Sequence, residues 1–291
     1  MVSAEKKSIL LTFDVEDWFQ VENFKQSIPR ETWSSCELRV EKNLHAILDL
    51  LDRTPAKPKA TFFILGWIAR KIPHMILEIG NRGHEVASHG DQHQLLTRLG
   101  HDDIEQDLDR AKKTLEDMTG QPVSGYRAPN FAIDNQILKL IEKVGYLYDS
   151  SFNNFSMHGR YGTIDLPDKS GAGICYKISE TFYEVPVSNL KLSQSRVVPL
   201  GGGGYFRLFP FFLFKLGIKQ VLKRSDAFVF YSHPWEFDPS QPRVENASAQ
   251  FKFRHYINLD KTSEKLNALI NAFNGVKFIP VKAYLTSKQK L

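Results

Sequence analysis

Ile9-Leu10-Leu11-Thr12-Phe13-Asp14-Val15-Glu16-Asp17-Trp18 is the stretch whose reading sets the fold class of this chain. Ile9 to Phe13 has the length and the apolar, β-branched content of a buried strand. Three carboxylates then follow within four positions. Like charges this close repel and raise one another's pKa unless a cation or a donor neutralises them, which points to a metal or acid/base site. The other reading is an acidic helix N-terminus, where the dipole favours carboxylates.

Outward from this strand, further β-rich runs recur at Ala60 to Ile64, Glu85 to Ser88, Gly125 to Arg127, Glu184 to Val187 and Phe228 to Ser232. Between them lie helical patterns. Leu38 to Leu51 places Val40, Leu44, Ile47, Leu48 and Leu51 on one face, and Ile104 to Met118 repeats the scheme. Asp134 is placed to cap a helix that stops at Gly145, and Ser263 to Phe273 is another helix. Strands alternating with helices predict parallel βαβ units, an α/β fold. Asp14, His89, Arg127 and His233 each fall where a predicted strand ends. In parallel α/β folds that is the end at which active sites are built.

The 291 residues, 42% hydrophobic and 24% charged, suit a globular protein, and no internal repeat interrupts them. A net charge of +5 is scattered rather than blocked, so no nucleic-acid partner is expected. Cys36 and Cys175 are too few for a disulfide framework or a four-thiolate metal site. Phe206 to Ile218 is broken by Arg207, Pro210 and Lys215, so no transmembrane segment is expected there. Its lysines beside apolar residues fit either a packed helix or a membrane-surface helix. The polar start, Met1 to Lys7, lacks a secretory pattern, so a cytoplasmic setting is expected, with the periphery of the inner membrane as a variant.

Ser88-His89-Gly90-Asp91-Gln92-His93 holds two histidines four apart, which on a helical turn would face one shared metal ion. Gly90 after His89 separates this pattern from the zincin motif. Gly125-Tyr126-Arg127-Ala128-Pro129-Asn130 puts a guanidinium at a strand end, able to orient a carboxylate or to form an ordinary surface pair. Phe228 to Trp235 delivers His233 from an apolar strand.

Taken in order, the acidic strand end, Ser-His-x-x-x-His, Arg-x-Pro and the late strand ending in histidine resemble the polysaccharide deacetylase family, the NodB-homology carbohydrate esterases. Asp14 to Gln20, Tyr148 to Ser151, His158 to Gly162, Gly202 to Phe206, His233 to Pro239 and His255-Tyr256 look more closely like the branch found with exopolysaccharide synthesis and exosortase-type systems. The resemblance implies a distorted (β/α) barrel with fewer than eight strands. It also implies removal of N-acetyl groups from an N-acetylated polysaccharide or oligosaccharide, with one divalent metal ion, zinc foremost. His89 and His93 match the metal imidazoles, Asp14 the general base, His233 the acid and Arg127 the residue that holds the base. The usual form has two adjacent aspartates, whereas Val15 follows Asp14 here; Asp17 is favoured as the metal carboxylate, with Glu16 the alternative. Asp149 is the candidate for orienting His233. Substrate contacts are expected from Trp18, Pro129, Asn130, Tyr161 and Trp235, with a backbone N–H near Pro129 and Asn130 completing an oxyanion hole.

Two rivals share the scaffold: a hydrolase opening a cyclic ureide such as allantoin, and a silent carbohydrate-binding protein. Retention of Asp14 and His233, which a binder would not need, argues against the second. One domain over residues 1–291 is expected, with a core at 8–235 and an extension at 236–285 packed on it. Phe251, Phe253, Tyr256, Leu266, Leu269, Ile270 and Phe273 give the extension apolar surface but not a core of its own. Phe278 to Val281 is expected as a final edge strand, and Arg243 to Gln250 as a loop near the site.

Overall fold

The structure, a computed structural model, describes residues 7–155, 162–167, 173–193 and 196–289. Its first half is a run of βα units: β1 (Ser8–Val15), α1 (Val40–Arg53), β2 (Thr61–Ile64), α2 (Gly66–Lys71), α3 (Pro73–Asn81), β3 (Glu85–Ser88), α4 (His101–Thr119), β4 (Gly125–Tyr126), α5 (Asn135–Lys143) and β5 (Tyr148–Asp149). There follow β6 (Tyr176–Lys177), β7 (Tyr183–Glu184), the hairpin β8 (Asn189–Lys191) and β9 (Val197–Pro199), α6 (Gly203–Leu208), α7 (Phe211–Arg224) and β10 (Ala227–Ser232). The chain ends with α8 (Ala249–Tyr256), α9 (Thr262–Ala272), β11 (Lys277–Phe278) and α10 (Val281–Gln289).

The strands line up in the order β10-β1-β2-β3-β4-β5-β7-β6. Seven of these run parallel, fewer than the eight of a full barrel, and only β6 is antiparallel. β11 adds a short parallel pairing at the start of β1, giving nine strands in the sheet. Irregular chain spans the gap between the β5 side and β10. Val187 N–H donates to Phe152 O, Ser188 N–H to Val229 O, and Tyr231 N–H to Gly201 O. The result is a curled, incompletely stranded barrel.

The helices α1 and α4 cover the sheet with the faces that the sequence marks, whereas Phe253 of α8, expected as packing surface, is exposed. Val40, Leu44, Ile47, Leu48 and Leu51 of α1 are all buried, as are Ile104, Leu108, Ala111 and Leu115 of α4. Asp134 Oδ1 accepts from the N–H groups of Gln136 and Ile137 at 2.9 and 2.8 Å, the cap that starts α5. Gly145 follows that helix at φ +92°. Register then sets the height of the functional residues. Phe13 pairs with Ser232, Val15 with Ile64, Ile64 with Ser88, and Ser88 with Tyr126. Asp14, Glu16, His89, Arg127 and His233 therefore emerge at one rim.

The C-terminal segment packs on this core. Leu266, Leu269 and Ile270 of α9 join the main apolar cluster, while Val244 and Leu259 join Trp18, Phe19, Phe24, Trp33 and Trp235 in a second. Two expectations are corrected here. β11 sits beside the start of β1 rather than extending an edge, and Val281 opens α10, because Pro280 stops the pairing. The loop after Arg243 ends earlier than expected, since Ser248 Oγ caps α8.

Arg207, buried in α6, donates to the carbonyls of Arg254, His255 and Ile257 at 2.7–3.1 Å. Deleting the chain from Val244 onward would remove these three acceptors, leaving Arg207 its Glu236 partner, and would take Leu266, Leu269 and Ile270 out of the main apolar cluster, at about 1.5–3 kcal/mol for each large apolar side chain. With total stabilities of roughly 5–15 kcal/mol, the truncation is expected to be insoluble or to melt far below the full chain. Soluble yield and melting temperature check this.

Candidate active site

Glu16, His89 and His93 each offer a ligand atom, and these atoms lie within 4.8 Å of one another. Glu16 leaves the end of β1 with its carboxylate 3.6 Å from His89 Nε2 and 3.4 Å from His93 Nε2. His89 Nδ1–H donates to the carbonyl of Arg127 at 2.8 Å, which fixes the tautomer whose Nε2 carries the lone pair. The Nε2 atoms of both histidines are buried and have no hydrogen-bond partner among the described residues. Buried imidazole acceptors beside a carboxylate are what a divalent cation requires, and the donor set fits one.

The histidines do not reach this position on a helix. Residues 89–93 form a loop in which Gly90 has φ +79° and His93 φ +52°, the left-handed region. Asp107 of α4 holds the loop, accepting from the N–H groups of Asp91 at 2.9 Å and Gln92 at 3.3 Å. A Cβ at Gly90 would lie 2.9 Å from the Asp107 carboxylate, so glycine is needed for contact as well as for φ.

Asp17, the favoured metal carboxylate, lies elsewhere. Its oxygens accept from the N–H groups of Arg39 at 2.6 Å, Val40 at 2.8 Å and Trp18 at 2.8 Å. It thus closes the N-terminus of α1, and burial pushes its carboxyl up to about 6 against the pull of those donors. The structure brings Glu16, not Asp17, to the histidines.

Asp14 and Arg127 meet inside the barrel at 2.7 Å. Arg127 is 0% exposed; its Nε donates to Ser150 O, Nη2 to Ser150 Oγ, and Nη1 to both Thr12 Oγ1 and Asp14 Oδ1. The guanidinium also lies 4.1 Å above the Phe63 ring. Asp14 is thereby held by one oxygen, while Oδ2 faces His233 Nε2 at 4.0 Å.

His233 is set from the C-terminal side. Its Nδ1 bonds Glu236 Oε1 at 2.8 Å, and Glu236 Oε2 accepts from Arg207 Nε at 2.7 Å. Gly203 permits this: a Cβ there would strike the Glu236 carboxylate. Burial alone would lower the His233 pKa, but the Glu16 carboxylate, 3.3 Å from Nε2, and Glu236 outweigh it and raise it to about 10. Trp235 stacks between His233 and His255, with ring centres 5.1 and 4.1 Å away. Asp149 does not orient His233; it receives the hydroxyl and N–H of Ser151 instead.

A cavity of about 180 Å³ opens over these groups, lined by Asp14, Glu16, His89, Asn130, His233 and Trp235, with walls from residues 21–23, Tyr231 and Arg254-His255 of α8. Asn130, at φ +54°, keeps a buried Nδ2 without a hydrogen-bond partner among the described residues. Pro129 is buried and Trp18 is a core residue whose Nε1 donates to Glu37 O at 3.0 Å; neither lines the cavity. Tyr161, His158 and Arg160 lie outside the described residues. Sequence reasoning missed Glu236, Arg207 and the α8 wall, although Glu236 stands only three residues after His233.

Residues 2–148 match the family model for polysaccharide deacetylase, and residues 150–286 match a domain of unknown function, DUF3473. The division falls at β5, whose Tyr148 ends the first match, and β7 and β10 of the second region pair with β5 and with β1 of the first. The peptidoglycan deacetylase-like protein FGM2 of Gibberella zeae is 35% identical over 107 residues, 37% of this chain and 32% of that protein. A peptidoglycan-N-acetylglucosamine deacetylase of Bacillus cereus is 31% identical over 157 residues, 49% of this chain and 57% of that one. The chain thus spans about a third to somewhat over half of these relatives' length. Among solved structures, a Mycobacterium smegmatis protein assigned as a polysaccharide deacetylase superposes with TM-score 0.62 at 19% identity, covering 100% of this chain and 92% of that one. The Xyl-CE4 domain of a multidomain xylanase from the hindgut metagenome of Trinervitermes trinervoides gives 0.53 at 15%, covering 98% and 92%. At such identities these likenesses speak for the fold.

Proposed function

The chain belongs to the polysaccharide deacetylase family, and on that premise we propose that it is a metal-dependent hydrolase removing N-acetyl groups from amino sugars of a polysaccharide or its precursor, with release of acetate. The observation that carries this reading is the convergence of Glu16 with the His89 and His93 Nε2 atoms, which have no hydrogen-bond partner among the described residues, beside His233 and its neighbour Asp14. A divalent ion on Glu16, His89 and His93, with zinc suited to two imidazoles and one carboxylate, would polarise the acetyl oxygen and acidify a water.

This chain's own residues supply the proton transfers. Asp14 is anchored through Oδ1 by Arg127, which leaves Oδ2 to take the proton of the attacking water. His233, oriented by Glu236, gives a proton to the leaving amine from Nε2. Asn130, whose buried Nδ2 has no hydrogen-bond partner among the described residues, lines the same cavity, where an oxyanion would form. Trp235 offers a wall for the sugar. The exopolysaccharide-linked branch is our finer reading, supported by Gly202 to Phe206 and by His233 to Asp238, the segments that build the Arg207–Glu236–His233 connection.

The test is incubation of the purified protein, with each candidate divalent metal, on N-acetylated oligosaccharides, assayed for acetate. Metal-dependent acetate release is expected. Ring opening of a cyclic ureide without acetate release would replace this reading with the ureide hydrolase, and sugar binding without turnover under any metal would replace it with the silent binder.

Glu236→Gln is expected to lower kcat on the order of a hundredfold, the scale of a lost general acid. Removing this anion also lowers the His233 pKa, so the alkaline limb of the pH–rate profile should move to lower pH. Glu236→Asp should restore part of the rate. An unmoved limb in a folded Glu236→Gln protein would show that Glu236 does not position His233.

A further inference from the structure

Between Glu184 and Asp226 the chain has no carboxylate, the longest such stretch in the sequence, yet it carries seven lysines and arginines. Five of the eight large apolar residues with broad exposure among the described residues also fall here, between Leu192 and Leu216. The two features meet on α7. Its inner side, Phe214, Gly217, Ile218 and Leu222, is buried in the protein. Its outer side exposes Phe212 by 66%, Leu216 by 52% and Leu213 by 47%, and Leu208 of α6 continues the patch.

Phe212, Leu216, Lys219 and Lys223 follow one another at four, three and four residues, so they form one stripe along the helix, apolar in its first half and basic in its second. Lys219 and Lys223 have no ion-pair partner among the described residues, and Arg224 carries the basic end to the β8–β9 hairpin, bonding Lys191 O at 2.7 Å. No helix of the described residues is long and apolar enough to cross a membrane. An apolar stripe continuing into cations is the pattern of a helix lying on a bilayer, with aromatic and leucine side chains in the headgroup–acyl boundary and lysines among anionic headgroups. We propose that the outer face of α7 docks this protein on an anionic lipid surface.

A second copy fits less well, because a self-complementary contact would set Lys219 and Lys223 against either the partner's lysines or its apolar half, with no carboxylate in the segment to pair them. An acidic polymer would use the cations and leave the exposed Phe212 and Leu216 unexplained. Gly204 of α6 lines the catalytic cavity and Leu208 lies one turn further on, so docking would hold the cavity mouth beside the lipid surface.

The experiment is co-sedimentation of the full chain with phosphatidylcholine vesicles, with and without phosphatidylglycerol. Binding is expected only with phosphatidylglycerol and should weaken as salt rises. Lys219→Gln with Lys223→Gln should lower the partition coefficient about 30-fold, about fivefold for each basic residue near the surface. Phe212→Ser with Leu216→Ser should weaken binding at least as much, while acetate release from a short soluble substrate stays unchanged. Equal binding to both vesicles, no binding, or retention by both double variants would overturn the proposal. So would dimerisation abolished by Phe212→Ser, or binding to a soluble acidic polysaccharide that Phe212→Ser with Leu216→Ser leaves intact.

Discussion

Glu16→Gln is expected to abolish the divalent-metal binding proposed for this site, and turnover with it, whereas Asp17→Asn, one residue on, should keep metal binding. Glu16 stands 3.4–3.6 Å from two imidazole Nε2 atoms that have no hydrogen-bond partner among the described residues, so its amide analogue removes the charged donor of the Glu16, His89 and His93 set. Outer-sphere changes at metal sites typically cost 10–100-fold in affinity, and loss of a ligand should cost on the order of a hundredfold or more. Asp17 instead accepts the N–H groups of Arg39 and Val40 at the start of α1, and that of Trp18 beside it. Its replacement puts an NH2 where acceptors are needed, at a cost of about 0.5–2 kcal/mol, the scale of a lost helix cap. Metal content under limiting metal and the melting temperature separate the two roles. Metal retained in Glu16→Gln and lost in Asp17→Asn would reverse the assignment.

Asp14→Asn is expected to keep both the metal and the fold while lowering kcat by about 10²–10⁴, the usual contribution of a positioned general base. Asparagine preserves the shape and can still accept from Arg127 through Oδ1, but it cannot take a proton from water. Arg127 keeps its bonds to Thr12 and Ser150, so the buried guanidinium stays largely satisfied. The variant should therefore bind divalent metal as the parent does. Unimpaired acetate release with metal retained would remove Asp14 from the mechanism.

The crowded carboxylates after β1 show what a sequence decides and what it leaves open. Repulsion among them demanded an explanation, and two were available: a cation site or a helix N-terminus. The structure gives the carboxylates different surroundings. Glu16 turns to the histidines and Asp17 turns to the N–H groups of Arg39 and Val40. Spacing alone could not divide them, because the partner that claims Asp17 lies more than twenty residues away and approaches only when α1 packs on the sheet. Likewise His89 and His93 read as neighbours on a helical turn, but they converge through a left-handed loop braced by Asp107 of α4.

By itself the sequence determined the alternation of strand and helix, the faces that α1, α4 and α5 bury, and the strand ends at which Asp14, His89, Arg127 and His233 emerge. Those features follow from local periodicity and capping, which act over a few residues. Only the tertiary structure decided that Glu16 joins the two histidines, that Glu236 and Arg207 set His233, that α8 supplies a wall of the cavity, and that Trp18 is core. Each of these depends on which distant donor or apolar surface arrives first at a buried group. Once water is excluded, a carboxylate or guanidinium is held by the partners that the packed chain brings to it, not by its neighbours in sequence.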